Sequence, residues 1–259
     1  MSLLGRSVRA VGAGAALGAI GAVGLLGAEL LAARLRRYAR PMIGPGIRAS
    51  VGDLDAPTVR LVMLGDSLAA GVGVLGVEDT VGGHLAALLA AGGHRIELSS
   101  MAVTGTRSHQ LDTQVSRALL ADPTPDVAVI LVGLSDAMHL SNPAESAYHV
   151  GEAVRRLTDA GVSVVVGTCP DLGACRALGP PLRQLVAWLG RRIAAAQETA
   201  VTDAGGAAVN LARRTSAVFR ADPGTICADG FHPSADGYRV WAHALYPAVH
   251  HAVRTQHTR

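Results

Sequence analysis

Val59-Arg-Leu-Val-Met-Leu-Gly-Asp-Ser-Leu68 is an apolar run that leads directly into a turn. The run from Val59 to Leu64 is typical of a strand, and Gly65-Asp66-Ser67 consists of residues that favour turns. Apolar runs of this kind alternate with helix-like stretches along the rest of the chain. Strands that alternate with helices predict a mostly parallel sheet covered on both faces, which is a three-layer α/β/α sandwich.

Five strands and five helices are predicted in this sandwich. The strands are Val59–Leu64, Arg95–Leu98, Val127–Val132, Val162–Gly167 and Ala207–Leu211, and the helices lie near residues 80–91, 107–120, 143–160, 180–203 and 235–253. In a parallel sheet, the loops that follow the strands carry the binding site. Ser67, Gly105 and Ser135 fall in these loops, so we expect the site at this edge of the sheet.

The N-terminal segment predicts a membrane-anchored protein with a single span. Residues 10–28 carry no charged side chain, and a helix of this length at roughly 1.5 Å per residue spans about the hydrocarbon thickness of a bilayer. Gly14 and Gly18 have the spacing that permits close packing of membrane helices. A signal peptide that is cleaved after the apolar run, followed by secretion, is the alternative. Arginines flank the span on both sides, so its orientation stays open, although those that follow it favour a cytoplasmic domain.

The chain divides into four segments where its composition changes. These are an anchor or signal segment at residues 1–33, a linker at 34–57, one folded α/β domain at 58–253, and a tail at 254–259. The linker is predicted because Pro41 and the Gly44-Pro45-Gly46 tripeptide favour turns and irregular structure.

Composition and charge exclude several classes of protein. All 23 basic residues are arginine, which excludes a serine-lysine dyad, a lysine Schiff base and a P-loop lysine. A net charge of +3 is too small to indicate a nucleic-acid partner. The spacing of Cys169, Cys175 and Cys227 fits no common zinc pattern, and no metal or organic cofactor is expected. Cys169 and Cys175 form a small disulfide loop if the domain faces an oxidising compartment, and three free thiols are the alternative.

Two distant segments supply the groups that activate a serine hydroxyl. A hydroxyl is a weak nucleophile at neutral pH and needs an imidazole to take its proton and a carboxylate to orient that imidazole. Ser67 follows the first strand, while Asp229-Gly-Phe-His232 lies near the C-terminus. The three-residue spacing lets the Asp229 carboxylate reach the His232 ring. Ser234 is placed to cap the last helix and brace this loop.

The chain resembles the SGNH (GDSL) hydrolase family of serine esterases and lipases over roughly residues 59–247. The resemblance rests on four blocks in the family's order: Gly65-Asp66-Ser67-Leu68, Ala102-Val103-Thr104-Gly105, Gly133-Leu134-Ser135-Asp136 and Asp229-Gly-Phe-His232-Pro233. It implies a flavodoxin-like fold, with Ser67 as the nucleophile, His232 as the base and Asp229 as the residue that orients the base. It also implies an oxyanion hole formed by Ser67, Gly105 and the residue at position 135.

The third block departs from the family pattern. Family members carry an asparagine whose amide is the third oxyanion donor, and this chain has Ser135 there. A serine hydroxyl also donates one hydrogen bond, from a shorter side chain. The resemblance implies hydrolysis of a small acyl ester or a lipid through an acyl-serine intermediate. A catalytically weak or inactive binding protein and an acyltransferase with the same triad are the alternatives.

Two other motifs offer rival interpretations. Gly133-Leu-Ser135-Asp-Ala137 nearly matches the GxSxG nucleophile elbow, which would make Ser135 the nucleophile, but its last residue is alanine. Gly71-Val-Gly73-Val-Leu-Gly76 satisfies GxGxxG, and Glu97 follows at the distance expected in a dinucleotide site. These glycines do not follow the strand directly, however, which argues against a pyrophosphate site.

Aromatic residues amount to only 3% of the chain, so few stacking platforms are present for a glycan. Trp188 has the apolar helical spacing of a core residue. Trp241 and Tyr246 are predicted to pack the last helix against the sheet.

Overall fold

A single sheet organises the computed structural model, which describes residues 21, 24–33, 35, 36 and 47–256. Six strands lie in the order β1-β3-β2-β4-β5-β6. The strands are β1 (Arg48–Val51), β2 (Thr58–Gly65), β3 (Arg95–Ser100), β4 (Val127–Leu131), β5 (Ser163–Gly167) and β6 (Ala207–Val209). Only β1 is antiparallel to its neighbour β3, and the other four pairs are parallel. The predicted α/β fold with a mostly parallel sheet is therefore confirmed.

The predicted number of five strands was wrong, because β1 adds a sixth at one edge of the sheet. It lies inside the segment predicted as a linker, where Val51 pairs with Ile96 of β3. Its four residues alternate between exposed and partly buried side chains. A strand this short, next to Gly52 and Asp53, carries too weak a pattern to distinguish it from a loop.

Seven α-helices occur in the part of the chain that the structure describes from residue 47 onward. They are α1 (Val81–Ala91), α2 (Leu111–Leu119), α3 (Leu134–Met138), α4 (Pro143–Asp159), α5 (Leu182–Asp203), α6 (Leu211–Ala221) and α7 (Ala235–Gln256). The sequence predicted all of these except α3 and α6. Leu211 begins α6 and does not end a strand, because the Asn210 side chain accepts a hydrogen bond from Arg213 N at 2.9 Å and caps the helix.

Both faces of the sheet are buried, as the three-layer prediction requires. Leu61 and Met63 of β2 pack on one face in a core that includes residues of α1 and α7. Val62 and Leu64 point to the opposite face and pack in a second core with residues of α2, α4 and α5. This alternation follows from the two-residue period of a strand. Helices on both sides therefore leave the ends of the central strands as the place for a site.

The predictions for the aromatic residues of the last two long helices were partly right. Trp241 is buried in α7 and Tyr246 is partly buried against the same core, as predicted. The prediction for Trp188 was wrong, since this side chain is 49% exposed. The Arg192 guanidinium lies 5.2 Å from the centre of its ring. A cation next to an exposed indole is a favourable contact that does not need burial.

The N-terminal membrane span stays a prediction. Of residues 10–28, positions 10–20, 22 and 23 lie outside the described residues. Among the residues that are described, no helix combines the length and the apolar character that crossing a bilayer requires. Residues 24–33 are helical. Glu29 Oε2 accepts a hydrogen bond from Leu182 N at 2.9 Å, which joins this helix to the start of α5.

Candidate active site

The turn that carries Ser67 begins at the end of β2, where this strand pairs with β4. Gly65 has a φ of +131°, and a Cβ at this position would lie 1.8 Å from the carbonyl oxygen of Leu131. Only glycine fits here, both for its backbone conformation and for this close approach. Asp66 N then donates to Leu131 O at 3.0 Å, and Val72 N donates to Ser67 O at 3.0 Å. The turn therefore fixes Ser67 at the carboxyl end of the central strand.

Ser67, His232 and Asp229 lie in one hydrogen-bonded row. His232 Nε2 is 3.1 Å from Ser67 Oγ, and His232 Nδ1 is 2.7 Å from Asp229 Oδ2. Both the serine and the histidine are buried. An imidazole between a hydroxyl and a carboxylate can accept the hydroxyl proton while the carboxylate fixes its tautomer. The structure thus brings together three residues that the sequence placed in two segments.

The second oxygen of Asp229 organises the loop that carries the histidine. Asp229 Oδ1 accepts hydrogen bonds from Phe231 N at 2.7 Å and from His232 N at 2.9 Å. The Cys227 thiol donates to the same oxygen at 3.1 Å. Cys227 N donates to His232 O at 2.9 Å and closes the loop at its base. Asp229 therefore holds both the ring and the backbone of His232.

Ser234 joins this loop to α7, as the sequence predicted. Its Oγ accepts a hydrogen bond from Gly237 N at 3.3 Å, and its carbonyl accepts one from Tyr238 N at 2.9 Å. The hydroxyl also donates to the carbonyl of Gly224. A side-chain oxygen that accepts from the third residue of a helix is an N-cap. The histidine loop is consequently anchored to a long helix with one buried face.

Gly105 lies on the loop that follows β3. Val103 N donates to Gly65 O at 3.1 Å, so this loop is tied directly to the end of β2. Gly105 has a φ of +82°, and no atom lies within 4 Å of a Cβ built on it. Its backbone is therefore accessible at the same edge of the sheet as Ser67.

Ser135 lies in the first turn of α3, on the loop that follows β4. The glycine before this helix, Gly133, has a φ of +129°, and a Cβ there would lie 2.8 Å from Cys169 Cβ. The buried amide of Gln197 bridges this loop and the next, since it donates to Val132 O at 3.1 Å and accepts from Cys169 N at 2.9 Å. The loops with Gly105 and Ser135 thus lie on opposite sides of the Ser67 turn, because β3 and β4 flank β2.

Asp66 is a buried carboxyl group next to Ser67. Its Oδ1 accepts a hydrogen bond from Leu68 N at 3.0 Å, whereas its Oδ2 has no hydrogen-bond partner among the described residues. Burial raises the pKa of Asp66 to about 7, although the backbone N–H groups of Leu68, Ser135 and Gly133 lower it. A carboxyl group next to Ser67 therefore titrates close to neutral pH.

Asp136 is a further buried carboxyl group, for which no separate role was predicted from the sequence. Its Oδ2 accepts hydrogen bonds from Ser108 N at 3.1 Å and Ser108 Oγ at 2.9 Å. Burial also raises the pKa of Asp136. Because Ser108 ends the Gly105 loop, Asp136 ties that loop to α3. An acidic residue in the first turn of a short helix was the only sequence signal for this contact.

The structure argues against both rival motifs. His232 contacts the Ser67 hydroxyl, whereas the histidine beside Ser135 is His139, whose Nδ1 lies 2.8 Å from the Ser135 carbonyl oxygen. In the glycine-rich segment, a Cβ on Gly73 would lie 2.5 Å from Pro233 O. Gly73 lets the chain pass close to the His232 loop, and α1 begins only at Val81. A dinucleotide fingerprint would need glycines directly between strand and helix.

All three cysteines are free thiols, so the disulfide alternative is not formed. Burial raises the pKa of Cys175 to about 12 and that of Cys227 to about 11. Thiols with such values are protonated at neutral pH and are poor nucleophiles. Within the described residues, no group of three or more His, Cys, Asp or Glu side chains is arranged to hold a metal ion.

The sequence blocks that form this edge match a known family. A profile of the GDSL-like lipase/acylhydrolase family covers residues 63–240. The chain belongs to the GDSL-like lipase/acylhydrolase family. The resemblance indicated by the four sequence blocks is therefore confirmed at the level of the family.

One relative in this family is the GDSL-like esterase Rv1075c of Mycobacterium tuberculosis. It is 41% identical to this chain over 197 residues, which make up 75% of this chain and 63% of the relative. The chain thus spans less than two thirds of the length of that esterase.

Solved structures share the fold at low sequence identity. TesA superposes with a TM-score of 0.60 at 19% identity, over 74% of this chain and 99% of TesA. A catalytic mutant of Axe2, an acetylxylan esterase from Geobacillus stearothermophilus, gives a TM-score of 0.57 at 16% identity, over 77% of this chain and 95% of Axe2. The six-stranded domain therefore has the fold of these two solved structures.

Proposed function

We propose that the chain is a carboxylic ester hydrolase that uses Ser67 as its nucleophile. The observation that carries this proposal is the row in which His232 lies 3.1 Å from Ser67 Oγ and 2.7 Å from Asp229. His232 takes the Ser67 proton as Oγ attacks the ester carbonyl, then donates it to the departing alkoxide. Water, activated by the same imidazole, releases the acid from the acyl-serine. Asp229 stabilises the imidazolium formed in each step.

The tetrahedral intermediate carries a negative oxygen that needs hydrogen-bond donors. We assign the backbone N–H groups of Ser67 and Gly105 to this role, because the two loops meet at the end of β2. The Ser135 side chain is the third donor in this proposal, at the position where the family resemblance implies asparagine. Preorganised donors of this kind are among the largest contributions to acyl transfer.

The proposed substrate is an ester of a small acyl group. The relative in Mycobacterium tuberculosis is described as an esterase, and one structural neighbour as an acetylxylan esterase. The first supports ester chemistry, and the second favours an acetyl group. Hydrolysis rates for aryl acetate, butyrate and octanoate, measured under identical conditions, will rank acyl length, and we expect the acetate to be cleaved fastest.

Covalent labelling separates an esterase from a binding protein with the same fold. A fluorophosphonate probe phosphonylates an activated serine, so we expect one adduct on Ser67 of the native full-length chain, located by peptide mass spectrometry. The heat-denatured chain and the His232→Ala variant are the controls, and both should stay unlabelled. A native chain without an adduct would identify a binding protein and contradict the proposed hydrolysis.

Restoring the asparagine tests the third donor. We expect Ser135→Asn to raise kcat by about 10-fold, because an amide is longer and more rigid than a hydroxyl, and one oxyanion donor is worth on the order of 10² to 10³ in kcat. Steady-state rates with an aryl acetate give the comparison. Ser141→Asn, on the loop that follows α3, is the matched control. A kcat for Ser135→Asn equal to or below the native value would remove Ser135 from the oxyanion hole.

A further inference from the structure

A buried glutamine on α2 contacts the backbone of Gly65, at the start of the turn that carries Ser67. Gln114 is 3% exposed. Its Oε1 accepts a hydrogen bond from Gly65 N at 2.7 Å, and its Nε2 donates to Gly65 O at 2.8 Å. One side-chain amide thus pairs with both backbone polar groups of a single residue. Such a pair fixes the orientation of the peptide groups on both sides of Gly65, two residues before Ser67.

The same amide also reaches the loop that carries Gly105. Gln114 Nε2 donates a second hydrogen bond to Thr106 Oγ1 at 3.1 Å. Thr106 directly follows Gly105, and its side chain is buried. The backbone bond from Val103 N to Gly65 O holds the other side of this loop. Gly105 therefore lies between two residues that are held by hydrogen bonds, Val103 by Gly65 and Thr106 by Gln114.

An oxyanion hole stabilises the intermediate only when its donors lie at the correct distance from the oxygen that forms. Donors must lie about 3 Å from the oxygen that forms, and a misplacement of about 1 Å costs on the order of 10²-fold in rate. The N–H groups of Ser67 and Gly105 belong to different loops, and Gly105 has no packed side chain to hold it. The distance between these two N–H groups depends on the contacts that join the two loops. Gln114 is a buried side chain that hydrogen-bonds to both loops.

We infer that Gln114 is a positioning residue that sets the distance between the two backbone donors of the oxyanion hole. This inference rests on the proposed esterase function. Gln114 contacts neither the Ser67 hydroxyl nor the His232 ring, so it acts on the stabilisation of the intermediate and leaves proton transfer intact. Its loss should therefore lower kcat and leave KM for a small ester nearly unchanged.

Three variants remove different sets of the hydrogen bonds that Gln114 makes. Gln114→Glu keeps the shape and an acceptor for Gly65 N. Its ionised form cannot donate to Gly65 O or Thr106, and its protonated form can donate to only one of them. Gln114→Leu removes every hydrogen bond, and Thr106→Val removes only the tie to the Gly105 loop. We expect a kcat about 10- to 100-fold lower for both Gln114 variants and a smaller decrease for Thr106→Val, with KM within about 3-fold of native.

The readout is kcat per titrated active site, with an aryl acetate as substrate and fluorophosphonate as titrant. A purely structural role changes the folded fraction and Tm, but it leaves kcat per titrated site at the native value. Thr215→Val is the matched control, because it removes a buried hydrogen bond from Trp241 Nε1, 3.2 Å away, that involves no residue of the site. This control should lower Tm and leave kcat per site unchanged.

The outcomes separate this inference from the proposed function. An active native chain with native kcat per site in Gln114→Glu and Thr106→Val would overturn the positioning role alone. A native chain that is neither labelled nor active would overturn the esterase, and the role of Gln114 would fall with it. If Gln114→Leu does not fold, the near-isosteric variants Gln114→Glu and Thr106→Val decide the question.

Discussion

Replacing Ser67 with alanine should abolish ester hydrolysis, with kcat reduced on the order of 10⁴- to 10⁶-fold. The Ser67 hydroxyl is the group that His232 contacts through Nε2, at 3.1 Å. Without it there is no oxygen to form the acyl intermediate, and any remaining rate comes from water and the oxyanion donors alone. KM for a small ester should change little, since the loops that bind the substrate keep their backbone. Hydrolysis rates of an aryl acetate, measured with Ser67→Ala and with the native chain, give the effect.

The matched control for this substitution is Ser135→Ala, which removes the other serine that a sequence motif nominates. We expect this variant to lose at most about 10²-fold in kcat, as for one oxyanion donor. Both variants should melt at a similar temperature to the native chain, because each loses a single hydroxyl. Activity that survives in Ser67→Ala but disappears in Ser135→Ala would assign the nucleophile to the elbow motif and contradict the assignment made here.

Local patterns were sufficient to predict the central part of the fold. The apolar run of β2 is buried on both faces, so its hydrophobic signal is nearly continuous and easy to recognise. The Asp229 to His232 spacing is likewise local, because a three-residue loop closes the carboxylate onto its own imidazole. The contact between Ser67 and His232, which are 165 positions apart, leaves no local pattern in the sequence. The family resemblance supplied that pairing before any geometry was available.

Features that depend on long-range contacts were missed. Edge strand β1 has a weak pattern because only one of its faces packs. The exposure of Trp188 depends on which face of α5 meets the sheet, and helical spacing alone does not determine that. Gln114 looks like an ordinary polar residue in a helix, and its role becomes visible only when its amide is seen against Gly65. Buried polar contacts between distant segments leave no periodic signal in a sequence.

Asp66 belongs to this group as well, because in the sequence it is a turn residue and in the structure it is a buried acid. The usual pKa of an aspartate is 3.8, and burial raises that of Asp66 to about 7. Between these two pH values the folded chain retains a proton that the unfolded chain has lost. The free energy of unfolding must therefore fall as the pH rises from about 4 to about 7, and it should level off above that.

Asp66→Asn should remove this pH dependence, since an amide does not titrate in this range. The shift from 3.8 to about 7 corresponds to about 4 kcal/mol at about 1.4 kcal/mol per pH unit. We therefore expect the native chain to lose about 4 kcal/mol relative to Asp66→Asn between pH 4 and pH 7.5. Urea unfolding of both proteins at half-unit pH steps measures the difference. The asparagine carbonyl can still accept the hydrogen bond from Leu68 N, so the turn should be preserved.

The comparison of the two curves matters more than either curve alone, because burial raises the pKa of Asp136 in the same direction. That contribution is present in both proteins and cancels in the difference, apart from the coulombic coupling between Asp136 and Asp66, which the substitution removes. Asp203→Asn, at an exposed position on α5, makes the same change in charge and should leave the native slope intact. Parallel curves for the native chain and Asp66→Asn would show that the carboxyl group next to Ser67 is ionised in the folded state well below neutral pH. Curves that separate as the pH rises, because the native chain loses stability relative to Asp66→Asn, would show that the carboxyl group holds its proton there.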